Sequence, residues 1–138
     1  SDLLKMFWEC HDPTQKNRQG NDMGTQYRSA IYYKNENNIK TILASKEQYQ
    51  TELSKKNLGL IETEIKMIDS YFYAEQYHQQ YLASAGSRQY CSASPTKVKL
   101  GVFTGSNYKL EDHIWENFNW EVDKCVLRSD NNPIKNNI

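Results

Sequence analysis

From Gln15 to Gln26 the chain carries almost nothing apolar, yet it holds two glycines, two asparagines and an aspartate. A stretch of about a dozen such residues has nothing to bury, so it belongs on the surface, and connections of that length tend to carry function. Both of its borders are legible. Upstream, Leu3, Leu4, Phe7 and Trp8 recur at helical spacing, and Pro13 stops that helix because its ring disfavours helical geometry in the residue before it. Downstream, Tyr27-Arg28-Ser29-Ala30-Ile31-Tyr32-Tyr33 is a β-rich run that predicts a strand with Tyr27 as its first residue. The chain is thus expected to pass from helix to strand through one long polar loop.

Beyond it, Asn35 to Lys56 sets Ile39, Ile42, Leu43, Tyr49 and Leu53 among polar residues, a surface helix with one buried stripe, closed by Asn57 and Gly59. Leu60 to Met67 alternates apolar and polar residues, a half-exposed strand, and Tyr71-Phe72-Tyr73 leads into a short helix over 74–82. After Leu82 the chain is rich in Ser, Gly, Thr and Lys with little periodicity. Leu110, Ile114, Trp115 and Phe118 then suggest one more short helix before an Asn-rich, frayed end. This order predicts an α+β fold with a small mixed sheet, flanking helices and a long irregular C-terminal tail. It divides residues 1–82 from a tail over 83–138. Ten tyrosines and three tryptophans are expected to replace much of the usual aliphatic bulk.

Several function classes are disfavoured. Lys+Arg and Asp+Glu stand at 17 each, and a nucleic-acid binder held by counterion release needs a basic surface instead. No apolar run approaches the roughly 18–20 residues of a membrane helix. Three scattered cysteines and three scattered histidines show no metal-ligand spacing, and no glycine-rich phosphate loop is present. An odd cysteine count makes no disulfide framework and fits thiols used chemically in a reducing compartment, here the cytoplasm unless an organelle address lies upstream. Ser1 opens in mid-pattern without an initiator Met, so the sequence reads as a fragment, expected to be monomeric.

Two blocks then narrow the reading. The first is His11-Asp12-Pro13-Thr14-Gln15, followed by Asn17-Arg18-Gln19-Gly20-Asn21-Asp22-Met23-Gly24-Thr25-Gln26-Tyr27-Arg28-Ser29-Ala30-Ile31-Tyr32-Tyr33. The second is Thr63-Glu64-Ile65, then Phe72-Tyr73-Ala74-Glu75-Gln76-Tyr77-His78-Gln79-Gln80-Tyr81-Leu82. In order and spacing they closely resemble class A methionine sulfoxide reductases, with Phe7-Trp8-Glu9 fitting the same stretch. Arg88-Gln89-Tyr90-Cys91, and more weakly Cys125-Val126-Leu127-Arg128, look like the tails of some eukaryotic members. The resemblance implies the methionine sulfoxide reductase A fold and reduction of the S epimer of methionine sulfoxide, free or in oxidised proteins. It implies thioredoxin as reductant and no other cofactor. The family nucleophile is a cysteine in a Gly-Cys-Phe-Trp motif, which this sequence lacks; Phe7-Trp8-Glu9-Cys10 has its aromatics before the cysteine. The chain by itself is therefore expected to be inactive.

What the resemblance assigns has a chemical rationale. A thiolate attacking a sulfoxide sulfur must expel a poor oxygen leaving group, so that oxygen needs donors aimed at it. Tyr27 matches the family tyrosine in this role, and Asp22 matches an aspartate near the nucleophile, expected to organise hydrogen bonds. Their plainer readings are a packed aromatic at a strand start and a turn cap. His11 could support the pocket or cap the helix end. His78 more readily joins a buried polar network than acts as a base, and Arg28 is expected to pair with a carboxylate. Cys91 matches the resolving position, with Cys125 as alternative resolver or second relay thiol. Cys10 reads as structural, since nothing near it supplies an activating cation. Two rival readings remain: a non-catalytic homologue that binds sulfoxide or a partner without turnover, and an aromatic stacking module, which the neutral charge disfavours.

Overall fold

A computed structural model describes residues 1–81 and 91–117 of the protein. Its elements run α1 (Asp2–Glu9), β1 (Arg18–Gln19), β2 (Asp22–Met23), a 3-10 helix (Thr25–Tyr27), β3 (Ala30–Tyr33), α2 (Asn37–Lys55), β4 (Glu64–Met67) and α3 (Asp112–Glu116). The fold is α+β. Among the described residues, β1 pairs with β2 antiparallel and β3 with β4 parallel.

β3, α2 and β4 make a crossover unit, because parallel neighbours cannot be joined by a tight turn and need a connection of helix length. The register is Ala30 with Glu64 through Tyr33 with Met67. Backbone bonds from Glu64 N–H to the Ser29 carbonyl (2.9 Å) and from Ile68 N–H to the Tyr33 carbonyl (2.9 Å) extend the ladder at each end. Along α2, Ile42, Ser45, Tyr49 and Leu53 form the buried stripe, while Leu43 is exposed. The helix ends as its sequence requires. Asn57 takes a left-handed φ of 56°, and the Leu58 and Asn57 N–H groups return to the Leu53 and Ser54 carbonyls at 3.1 and 3.0 Å.

α1 lies against α2 through Trp8, whose indole N–H donates to the Ser45 hydroxyl at 2.9 Å. Lys5, Trp8 and Glu9 form the buried face of α1, and Leu3 is exposed. The core consists of Trp8, Tyr49, Leu53, Ile61, Val98, Leu100 and Phe103. Three of its seven members come from the region after residue 82, so the division into 1–82 and a tail does not describe how the core is built. Residues 95–103 carry no regular structure, yet buried Val98 and Leu100 alternate with exposed Lys97 and Lys99, an inward–outward pattern.

Two further expectations are corrected. Residues 74–81 form turns closed by i to i−3 bonds, such as His78 N–H to the Glu75 carbonyl at 2.8 Å, and Gln80 sits at φ 53°; no α-helix forms there among the described residues. Aromatic rings do fill the core at Trp8, Tyr49 and Phe103, and Trp115 is buried too, but Tyr71, Phe72, Tyr73 and Tyr77 are exposed, so the tyrosine count overstates the core. Residues 112–116 are helical as expected, whereas Phe118 and Cys125 lie outside the described residues.

Candidate functional site

The polar loop is organised by its own side chains. Asp12 accepts from the Thr14 N–H at 2.9 Å, the Thr14 hydroxyl at 2.6 Å and Gln15 Nε2 at 3.2 Å, closing a turn around the buried Pro13. The Pro13 carbonyl accepts from Glu62 N–H at 2.8 Å, tying that turn to the approach to β4. From this base the chain rises into the β1–β2 hairpin, in which Gln19 pairs with Asp22 across a turn at Gly20 (φ 58°). It then crosses Gly24, whose φ of 138° and ψ of 162° only glycine adopts readily. The 3-10 helix carrying Tyr27 follows and packs against both hairpin strands.

Asp22 and Tyr27 thus lie on contiguous elements. Neither has taken its plainer role. Tyr27 is 42% exposed instead of packed, and it lies in the 3-10 helix rather than in the strand, which begins at Ala30. The half-buried Asp22 carboxylate caps no turn and has no hydrogen bond from any described residue. The Tyr27 hydroxyl likewise has no hydrogen bond from any described residue. One cavity, of about 590 Å³, lies between α2 and residues 102–104, lined by Lys40, Leu43, Glu47, Gln48, Val102 and Phe103.

His11 closes the other end of the loop. Its Nδ1–H donates to the Phe7 carbonyl at 2.6 Å, so it does cap α1. That leaves Nε2 to accept from the Ser29 hydroxyl at 2.7 Å, and Ser29 meets the Thr63 hydroxyl at 2.8 Å. Burial pushes the His11 imidazole below its ordinary value, against the opposing pull of the Phe7 carbonyl and Asp12, and a neutral ring satisfies this chain of donors. His11 therefore joins the start of the loop to its end at Ser29 and to Thr63 just before β4. Ser29 and Thr63, unlike His11, carry no signal in the sequence, because their small hydroxyls gain a role only when the fold brings them together.

Arg28 pairs with a carboxylate as expected. Its Nε donates to Glu64 Oε2 at 3.1 Å, one Nη to the Thr25 carbonyl at 2.8 Å and the other to the Tyr32 hydroxyl at 2.7 Å. Glu64 is held below the usual carboxylate range by the Tyr32 hydroxyl first and Arg28 second. The cluster is exposed and fixes the end of the 3-10 helix to β4. His78 departs from expectation: it is exposed, its ring tilted against Tyr77 at 4.4 Å between centroids, and it belongs to no buried network among the described residues.

Of the cysteines, Cys10 is a free thiol whose S–H donates to the Phe7 carbonyl at 3.5 Å, and burial pushes its pKa up, as suits an inert structural thiol. Cys91 is half-buried and disulfide-bonded. The segment it opens runs against the hairpin: a Cβ on Gly20 would fall 2.5 Å from the Ser92 carbonyl oxygen, and Ser94 N–H donates to Gln19 Oε1 at 3.3 Å. Chain folding has brought the candidate resolving segment to the candidate loop across some 70 residues of sequence. The role of Gln19 is not legible in the sequence, because nothing local to it announces a partner so far along the chain. Among the described residues no group of three or more His, Cys, Asp or Glu could hold a metal ion, and no helix is long and apolar enough to cross a membrane.

The Cys91–Ser94 segment thus lies against the hairpin that carries Asp22. The family model described as peptide methionine sulfoxide reductase matches residues 1–109, and the chain belongs to that family. It is 54% identical over 97 residues to the mitochondrial peptide methionine sulfoxide reductase of Mus musculus, covering 70% of this chain and 41% of that protein. The Homo sapiens counterpart is 52% identical over 101 residues, covering 73% of this chain and 43% of the relative. The match therefore spans less than half the length of these relatives. Among solved structures, the reduced form of Mxr1 from Saccharomyces cerevisiae matches with a TM-score of 0.58 at 35% identity, covering 68% of this chain and 50% of that one.

Proposed function

We propose that this chain supplies the oxygen-polarising loop and the resolving thiol of a methionine-S-sulfoxide reductase that acts on free or protein-bound substrate and draws electrons from thioredoxin. The observation that carries the reading is the docking of the Cys91–Ser94 segment on the hairpin that holds Asp22, next to the 3-10 helix that holds Tyr27.

The chemistry runs in three balanced steps. A thiolate attacks the sulfoxide sulfur while a proton reaches the oxygen; the oxygen ends on the attacking sulfur as a sulfenic acid, and methionine leaves as the thioether. Tyr27 donates its hydroxyl hydrogen bond to that oxygen as charge develops on it, and Asp22 orients the surrounding hydrogen bonds. The Cys91 thiol then condenses with the sulfenic acid, forming a disulfide and releasing water. Thioredoxin dithiol reduces this disulfide and is itself oxidised. The attacking thiol belongs to the Gly-Cys-Phe-Trp motif of the family, which residues 1–138 do not contain.

The test uses a fusion of residues 1–138 to the preceding half of the Mus musculus relative, which would provide that motif. Tyr27→Phe in this fusion is expected to lower kcat by about 10- to 100-fold with little change in KM, the signature of a donor that acts on the transition state. An unchanged kcat would remove Tyr27 from the chemistry.

A further inference from the structure

We propose that Gln19 and Gly20 are positioning residues, a seat that holds the Cys91–Ser94 segment against the Asp22 hairpin and sets where the Cys91 sulfur can go. This rests on the reading of Cys91 as the resolving thiol, and it adds the element that delivers that thiol.

The seat is built from the rigid base of the loop outward. Gln19 Oε1 accepts from Asp12 N–H at 3.2 Å and from Ser94 N–H at 3.3 Å, while Nε2 donates to the Asp12 carbonyl at 3.0 Å and the Arg18 carbonyl at 3.3 Å. One carboxamide therefore spans the Asp12 turn and the distant segment. Gly20 completes the seat by having no side chain, since a Cβ would stand 2.5 Å from the Ser92 carbonyl oxygen and 3.4 Å from Ser94 Oγ. A backbone carbonyl has no flexible end to swing aside. The hairpin cannot drift from beneath it, because Gly20 N–H donates to Gln15 Oε1 at 2.7 Å and Gln15 Nε2 donates to Asp12 Oδ2 at 3.2 Å. The Asp12 turn carries Pro13, which is fully buried. Downstream, Thr96 Oγ1 is held by the Tyr49 hydroxyl at 2.8 Å and Val98 and Leu100 are in the core. The segment is thus anchored firmly after Pro95, and before it by the seat.

The experiment is performed on residues 1–138, reduced with dithiothreitol, desalted and alkylated with iodoacetamide, with modification of Cys91 and Cys10 followed separately by peptide mass. Gln19→Ala is expected to accelerate Cys91 alkylation about fivefold and Gly20→Ala about tenfold. Gln19→Glu keeps the oxygen that accepts from Ser94 N–H and should fall between Gln19→Ala and the parent. Cys10, buried at the end of α1, should be unaffected throughout. Cys91 rates unchanged in both Gln19→Ala and Gly20→Ala would overturn the proposal. So would equal acceleration of Cys10, which would report general loosening rather than a seat. A second arm treats the oxidised parent chain with thioredoxin, its reductase and NADPH. If thioredoxin leaves the Cys91 disulfide intact while the variants still accelerate Cys91 alone, the seat stands and the resolving role falls.

Discussion

In the fusion that carries a Gly-Cys-Phe-Trp half, Cys91→Ser is expected to retain one round of sulfoxide reduction per site and to lose thioredoxin-driven cycling by on the order of 100-fold. The asymmetry follows from the step the proposal gives to Cys91. Attack on the sulfoxide is complete before any second thiol is needed, so a burst of one methionine per enzyme survives. The sulfenic acid left behind is not a disulfide, and thioredoxin works by thiol attack on a disulfide sulfur. Dithiothreitol, small enough to reach the sulfenic acid directly, should restore much of the turnover. The measurement is methionine released in the first seconds against the steady rate with thioredoxin and NADPH. Undiminished cycling would pass the resolving role to Cys125, which lies outside the described residues.

The second large effect concerns stability. Glu9 is buried on α1 and accepts from Lys5, also buried, four residues earlier, and from Leu100 N–H at 3.2 Å, with Lys99 Nζ 3.5 Å from its other oxygen. Lys5 lies over the Trp115 ring at 5.1 Å. Glu9→Ala would leave an ammonium buried without its counter-ion and an N–H without its acceptor, a loss of about 3–5 kcal/mol by the usual cost of breaking a buried pair from one side. Chemical denaturation of residues 1–138 reads this directly. Lys99→Met is the contrasting variant, since an exposed partner contributes about 1 kcal/mol or less. A Glu9→Ala loss no larger than that of Lys99→Met would contradict the account. Glu9 also shows how the segment after Cys91 is held. Asp2 accepts from Lys109 and Leu110 N–H at 2.8 and 3.1 Å, so α1 grips that segment at both ends.

Much of the fold was legible where one physical signal acted alone. The stripe Ile42, Tyr49 and Leu53 placed α2, Asn57 placed its end, and alternation placed β4. Tyr27 was set in the strand because β propensity does not register Gly24, whose conformation turns the chain into a 3-10 helix first. Residues 95–103 were read as tail because they form neither helix nor strand. Their signal was the Lys97-Val98-Lys99-Leu100 alternation, too short to stand out, and their burial depends on a surface that only α1 and α2 together create. His78 was assigned a buried network from its polar and aromatic neighbours, yet it stands exposed, since neighbours in sequence say little about what packs from afar. The loop was found from composition. Its partners Ser29, Thr63, Gln19 and Ser94 needed the fold, because each bond between them spans many residues.

The most direct measurement follows the two epimers of N-acetylmethionine sulfoxide in the fusion with thioredoxin present. The account predicts consumption of the S epimer, with the R epimer left untouched. Absence of turnover in a folded fusion, or equal loss of both epimers, would contradict it.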